Sequence, residues 1–214
     1  MKFDKDTLLL YAVTDSKWAT NIPLINQVEE ALKGGVTCVQ LREKDLGYAE
    51  FLEKAIAFNK LCTSYNIPLI INDNVEVAIE SKAHGIHVGQ MDMETENVRK
   101  KIGKDMILGV SVKTVEQAKL AERNGANYLG VGAVFSTTTK LDATIVDHDT
   151  LKEICNSVNI PVVAIGGIYK HNILELKGTK VDGVALVSAI FAKDSIEKEC
   201  MELKKLSKEM TKGD

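Results

Sequence analysis

Short apolar runs recur along this chain at nearly regular spacing. Each gives way to a polar junction and then to a segment whose apolar residues return every three or four positions. The runs are LLLYAVT (8–14), TCVQLR (37–42), PLIIN (68–72), GIHVG (85–89), MILGVS (106–111), YLGVGAVF (128–135), PVVAIGG (161–167) and DGVALVS (182–188). They are rich in β-branched residues and almost continuously apolar, the pattern of parallel strands covered on both faces. The segments between them read as helices: IPLINQVEEALKGG, YAEFLEKAIAFNKLCTSYN, NVEVAIESKA, ETENVRKKIG, TVEQAKLAERNGA, DHDTLKEICNSVN, HNILELKG and SIEKECMELKKLSKEM. Several close on Gly or Asn, the residues that tolerate a left-handed C-cap. Pro68 and Pro161 stand at strand starts, where a missing N–H does little harm.

Eight strand–helix units without a linker, in a chain of 214 residues, predict a single α/β domain over 1–214. Its fold is a (β/α)8 TIM barrel, with residues from about 205 onward as a frayed C-terminal tail. The competing architecture is a doubly wound open sheet. It would be expected to carry a glycine-rich dinucleotide fingerprint, which none of the junctions has. In a barrel the chemistry gathers where strands end at the carboxyl face, so the strand ends are read together.

The second run ends in VQLREKD. Alternation along a strand sends Gln40 and Arg42 to one side and Leu41 to the other, with Lys44 continuing at the mouth. A planar guanidinium fork and an ammonium point charge together suit a polyanion. The third run ends in Asn72 and Asp73. Asp73 followed three residues later by Glu76 fits a capping box, and the same carboxylate stands where a ligand or metal would bind. Asp92 follows the fourth run, as a helix cap or a second carboxylate. Two carboxylates beside cations and phosphates suit Mg²⁺, which takes few carboxylates and keeps waters and phosphate oxygens. His87, inside the fourth run, reads as a hydrogen-bonded core residue.

Ser111, ending the fifth run, has neither an elbow motif nor a base in sequence reach, and reads as a hydrogen-bond donor. The sixth run leads into STTTK, a loop of hydroxyls with Lys140. It is an anion receptor and a candidate lid over residues 133–142. The seventh and eighth runs end in AIGGI and ALVSAI. Glycines there let backbone amides approach a phosphate, and a helix start after Ser188 adds partial positive charge. The loops after strands seven and eight are the usual phosphate site of such barrels.

Composition narrows the classes. Basic and acidic residues number 27 and 30, for a formal net charge of −3, and aromatics make up 5%. No stacking platform or basic arm speaks for a nucleic-acid partner. Cys38, Cys62, Cys155 and Cys200 are far apart and read as free thiols of a reducing compartment. The start, MKFDKDTLLLYAVTD, has an apolar run too short and too charged in its flanks for a leader or a membrane span. A cytoplasmic protein with small-molecule partners is expected, and no membrane partner.

In order, QLREKD, INDNVEVA, GIHVGQMDM, GVSVKT, GVGAVFSTTTK, PVVAIGGI and GVALVSAI resemble the thiamine-phosphate synthase family, from about Tyr11 to Ile190. The resemblance implies a TIM-barrel transferase of thiamine biosynthesis. It would join a pyrimidine methyl diphosphate to a thiazole phosphate, or its carboxylated tautomer, with release of pyrophosphate. It implies Gln40, Arg42, Lys44, Asn72, Ser111 and Lys140 as pyrimidine-diphosphate contacts, with Glu43 in the same segment. Of these, Arg42, Lys44, Ser111 and Lys140 would carry catalysis. Asp73 and Asp92 would hold Mg²⁺. Thr137, Thr139, Gly167, Val187 and Ser188 would hold the thiazole phosphate. The chain departs from the family's proline-containing loop, with Ala133, Ser136 and Thr138 at those places, and a loop without prolines is expected to be freer before ligand binds. The alternatives are a thiazole tautomerase of the same family, needing only the phosphate cup, and a non-catalytic phosphate-binding barrel. An oligomer is compatible with this reading.

Overall fold

The structure is a computed structural model that describes residues 3–89, 95–136 and 145–212. Eight parallel strands close into a barrel in sequence order. They are β1 (Leu10–Val13), β2 (Cys38–Leu41), β3 (Leu69–Asn72), β4 (Gly85–Val88), β5 (Ile107–Val112), β6 (Tyr128–Gly132), β7 (Val162–Ile165) and β8 (Gly183–Leu186). Closure is made by β1, which pairs with β2 at Tyr11–Cys38 and with β8 at Tyr11–Ala185. The expected barrel is therefore the observed one. All strands but β5 are shorter than their apolar runs, several of which continue into the turns at the cavity.

The helices are α1 (Leu24–Lys33), α2 (Tyr48–Ser64), α3 (Val75–Glu80), α4 (Thr95–Ile102), α5 (Val115–Arg123), α6 (His148–Ser157), α7 (Ser188–Phe191) and α8 (Ile196–Thr211). The helix expected over HNILELKG is only a 3-10 turn, Ile173–Leu176. Instead β8 is followed by two helices, and α8 packs against α1 and that turn. On α1, Leu24, Val28, Ala31 and Leu32 are buried, the spacing that turns one stripe of a helix onto a sheet. On α8 the stripe is Ile196, Cys200, Leu203, Ser207 and Met210. The last two members correct the expected fray from 205: the chain stays helical to Thr211, because Met210, 1% exposed, anchors the final turn. Burying such a side chain stabilises by roughly 1.5–3 kcal/mol.

Two layers of core result. Leu10, Val39, Leu41, Ile71, Ile86, Leu108 and Leu129 lie between strands and helices. Tyr11, Val13, Cys38, Ile70, Tyr128, Val163 and Ala185 fill the barrel. The interior has room for the Tyr128 ring only because a glycine faces it: a Cβ on Gly109 would lie 2.2 Å from that ring. No helix among the described residues is long and apolar enough to cross a membrane.

Candidate active site

The strand ends open into a cavity of about 610 Å³. Gln40, Arg42, Lys44, Asn72, Asp73, Ser111, Gly167, Val187 and Ser188 all line it. Pleat alternation brings Gln40 and Arg42 to the inside, as expected, while Leu41 packs outward. The Arg42 N–H donates to Thr14 Oγ1 at 3.0 Å, which ties the end of β2 to β1 and points the following residues into the mouth. Asp92, Thr137, Thr139 and Lys140 lie outside the described residues, as does most of the expected lid.

Glu43 does not join the cavity. Its carboxylate accepts from Ser16 Oγ at 2.6 and 2.9 Å and pairs with Lys54. Neighbouring side chains alternate in direction here, so Arg42 and Lys44 face in while Glu43 faces α2. It braces the segment, and Glu43 lines a smaller neighbouring pocket with Lys44, Asn72 and Asp73.

The expected cap also moves by one residue. Asn74, not Asp73, caps α3, its Oδ1 accepting from the Val77 N–H at 2.9 Å. Glu76 turns to Lys101 at 3.1 Å and closes no capping box. Asp73 itself sits at φ +63°, a left-handed conformation that costs a non-glycine residue energy and tends to persist at functional sites. That twist carries its carboxylate to the cavity, where it accepts from Asn72 Nδ2 at 2.6 Å. Asp73 is the one carboxylate among the described lining residues. A single carboxylate beside the cationic side chains of Arg42, Lys44 and Lys113 fits a Mg²⁺ ion that draws its other ligands from water and phosphate.

Lys113 was not singled out by sequence, yet it lines the cavity. Two residues past Ser111, it was legible by the same alternation that found Arg42 after Gln40. Its backbone N–H donates to Gln117 Oε1 at 2.8 Å, another lining residue. Arg42, Lys44 and Lys113 against Asp73 leave this side of the cavity positive, suited to a polyanion.

The opposite side is a neutral cup. Gly166 and Gly167 have φ of +97° and +69°. A Cβ on Gly167 would lie 2.3 Å from the Ser136 carbonyl oxygen, so no larger residue fits. Asn172 Nδ2 donates to the Gly167 carbonyl at 2.9 Å, which holds the turn. Val187 immediately precedes the four-residue α7, which opens at Ser188. Tyr169, also missed by sequence, lines the cup.

Beneath the mouth, His87 is 8% exposed. Its Nε2 lies 2.9 Å from Ser111 Oγ and its Nδ1 lies 2.9 Å from the Tyr128 hydroxyl. The expected hydrogen-bonded core histidine is found. Burial pushes the Tyr11 and Tyr128 phenols well above their ordinary pKa, and mutual proximity to the buried, ionisable Cys38 thiol raises both further.

Comparison with known proteins agrees with this geometry. The family described as "Thiamine monophosphate synthase" matches residues 10–190. The thiamine-phosphate synthase of Clostridium tetani is 51% identical over 194 residues, 91% of this chain and 93% of that protein. That of Methanobrevibacter smithii is 49% identical over 183 residues, 86% and 87% of the two chains. Among solved structures, thiamine phosphate pyrophosphorylase from Pyrococcus furiosus superposes with a TM-score of 0.89 at 38% identity, covering 96% of this chain and 98% of its own. A barrel of this order, a cationic mouth and relatives matched over nearly their whole length lead to one assignment: the chain belongs to the thiamine monophosphate synthase family, transferases of thiamine biosynthesis.

Proposed function

We propose that this chain joins 4-amino-2-methyl-5-(diphosphooxymethyl)pyrimidine to a thiazole phosphate, giving thiamine phosphate and pyrophosphate. The observation that carries the reading is one cavity with two unlike anion-binding sides. One side carries Arg42, Lys44 and Lys113; the other offers Gly167, Val187 and Ser188. Two anionic substrates, meeting in between, account for both.

On this reading Gln40, Asn72 and Ser111 orient the pyrimidine. Arg42, Lys44 and Lys140 gather the diphosphate, with Lys113 added from the structure. Thr137, Thr139, Gly167, Val187 and Ser188 hold the thiazole phosphate. Asp73 and Asp92 would hold Mg²⁺, which supplies neutralisation of the charge that grows on departing pyrophosphate. The bond from the pyrimidine methylene carbon to the diphosphate oxygen breaks first, its electron pair leaving with pyrophosphate. The cation left behind is stabilised by its own ring, and the thiazole nitrogen attacks it. Such a reaction asks for no protein nucleophile. It asks for charge stabilisation of the leaving group and alignment of two substrates.

The test is direct. The purified protein is mixed with both substrates and Mg²⁺, in parallel with EDTA, and thiamine phosphate is followed by chromatography. Product in the Mg²⁺ tube alone is the expected result. No product in either tube, from folded protein, would overturn the synthase reading in favour of the tautomerase or a binding-only barrel.

A further inference from the structure

Between the two cations that end β2, the chain places a carboxylate. Glu43 stands between Arg42 and Lys44 in sequence, and its side chain is only 5% exposed. A carboxylate so withdrawn from water needs a cation and hydrogen-bond donors. It finds both on neighbouring elements. Ser16 Oγ, from the turn after β1, donates to it and lies 2.6 and 2.9 Å from its two oxygens. Lys54, from α2, pairs with the carboxylate and also donates to Ser16 Oγ at 3.2 Å. The ammonium thus serves hydroxyl and carboxylate together, and the hydroxyl gives its one proton to the carboxylate.

Another cation stands close to this carboxylate. Lys44 lines the smaller pocket together with Glu43, and it lines the main cavity as well. Among the described residues no ion pair holds Arg42 or Lys44, so both charges face the cavity uncommitted. A Glu43 carboxylate turned to Lys44 would engage that ammonium. It would also set a second carboxylate beside Asp73, which lines the same pocket. Both changes would make the mouth less positive and less suited to a polyanion. Breaking a buried ion pair by removing one member leaves an uncompensated charge. Without Lys54, Glu43 would keep its charge and lose its cation, and Lys44 is the cation its own pocket offers.

We propose that Lys54 is a positioning residue that holds the Glu43 carboxylate away from Lys44 and so reserves the Lys44 ammonium for the diphosphate. The inference rests on the proposed pyrimidine-diphosphate site and adds the device that keeps that site cationic. Lys54 does not line the cavity. It acts through Glu43, from the far side of the segment that carries both cations.

Two measurements test this. In the first, inorganic pyrophosphate with saturating Mg²⁺ is titrated calorimetrically into wild type, Lys54→Met, and Lys54→Met combined with Glu43→Gln. Lys54→Met should weaken pyrophosphate binding about tenfold or more, with thiazole-phosphate affinity unchanged. Adding Glu43→Gln removes the competing charge and should restore pyrophosphate affinity to within about threefold of wild type. A tie that only braces the segment predicts the reverse, because the second substitution removes what remains of the brace. Wild-type affinity in Lys54→Met, an equal loss for both ligands, or a double variant as weak as the single one would overturn the proposal. The second measurement is a crystal structure of Lys54→Met, which needs no substrate. A Glu43 carboxylate oxygen within about 4 Å of Lys44 Nζ is expected. A carboxylate still on Ser16 and away from Lys44 would overturn the proposal. If wild type binds neither pyrophosphate nor the pyrimidine diphosphate, the substrate reading fails, and the crystal structure alone decides the role of Lys54. If Lys54→Met does not fold, Lys54→Gln takes its place in both measurements.

Discussion

The Tyr169 hydroxyl lies 2.8 Å from Ser188 Oγ, tying the loop after β7 to the first residue of α7 across the neutral cup. The turn is braced from behind, since the Tyr169 N–H donates to Asn172 Oδ1 at 2.8 Å. Tyr169→Phe keeps the ring and removes the tie. A single neutral hydrogen bond contributes about 0.5–1.5 kcal/mol, so KM for the thiazole phosphate should rise roughly 2- to 10-fold. KM for the pyrimidine diphosphate should stay put. Steady-state kinetics with each substrate varied in turn check this, and equal rises in both would contradict a local role.

Asp73 separates charge from backbone strain. Asn tolerates the left-handed region better than most residues, so Asp73→Asn should leave stability nearly unchanged while cutting turnover by roughly 100-fold or more through lost metal assistance. Asp73→Ala should lose turnover similarly and in addition about 1 kcal/mol of stability from the φ of +63°. Turnover against Mg²⁺ concentration and urea unfolding of both variants check the pair. A normal rate in Asp73→Asn would remove the residue from the metal role.

Arg99 should matter for stability alone. Its guanidinium donates to the carbonyls of Gly103, Met106 and Gly125 and to Asn127 Oδ1, at 2.6 to 3.1 Å. Asn127 Oδ1 also accepts from the Leu108 N–H. These groups precede β5 and β6, at the end of the barrel away from the cavity. Arg99→Ala should cost about 1–3 kcal/mol by leaving acceptors short of partners, with KM unchanged for both substrates. A urea midpoint equal to wild type would show the acceptors to be satisfied by water.

Alkaline pH should destabilise the fold. Desolvation raises the thiols of Cys62 and Cys200 from 9.0 to about 12. A raised folded pKa means the folded state holds its proton more tightly than the unfolded chain. Its contribution is therefore complete below pH 9 and is lost as pH rises toward 12. The slope approaches about 1.4 kcal/mol per pH unit for each thiol. Tm measured from pH 7 upward should fall beyond 9 in wild type and fall less steeply in Cys62→Ala with Cys200→Ala. Equal slopes would assign the alkaline limit to Tyr11, Tyr128 and the buried Cys38 thiol instead.

Local patterning was enough for the eight strands, for the facing of Gln40 and Arg42, and for placing Gly167 and Ser188 at the cavity. Each follows from a period of two, or from a glycine at a turn, over a few consecutive residues. The same rule would have reached Lys113. Competition between neighbours was harder to read: Asn74 takes the cap from Asp73, and Lys54 with Ser16 binds the Glu43 carboxylate. In each case a side chain had two partners in prospect, and the fold chose. The final helix was also decided by tertiary contact, because the burial of Met210 holds a lysine-rich segment that composition alone reads as loose. The contact of the Tyr11 hydroxyl with that of Tyr128 was beyond sequence altogether. Tyr11 and Tyr128 are 117 residues apart, and only barrel closure, with Gly109 leaving space for a ring, sets their hydroxyls against each other.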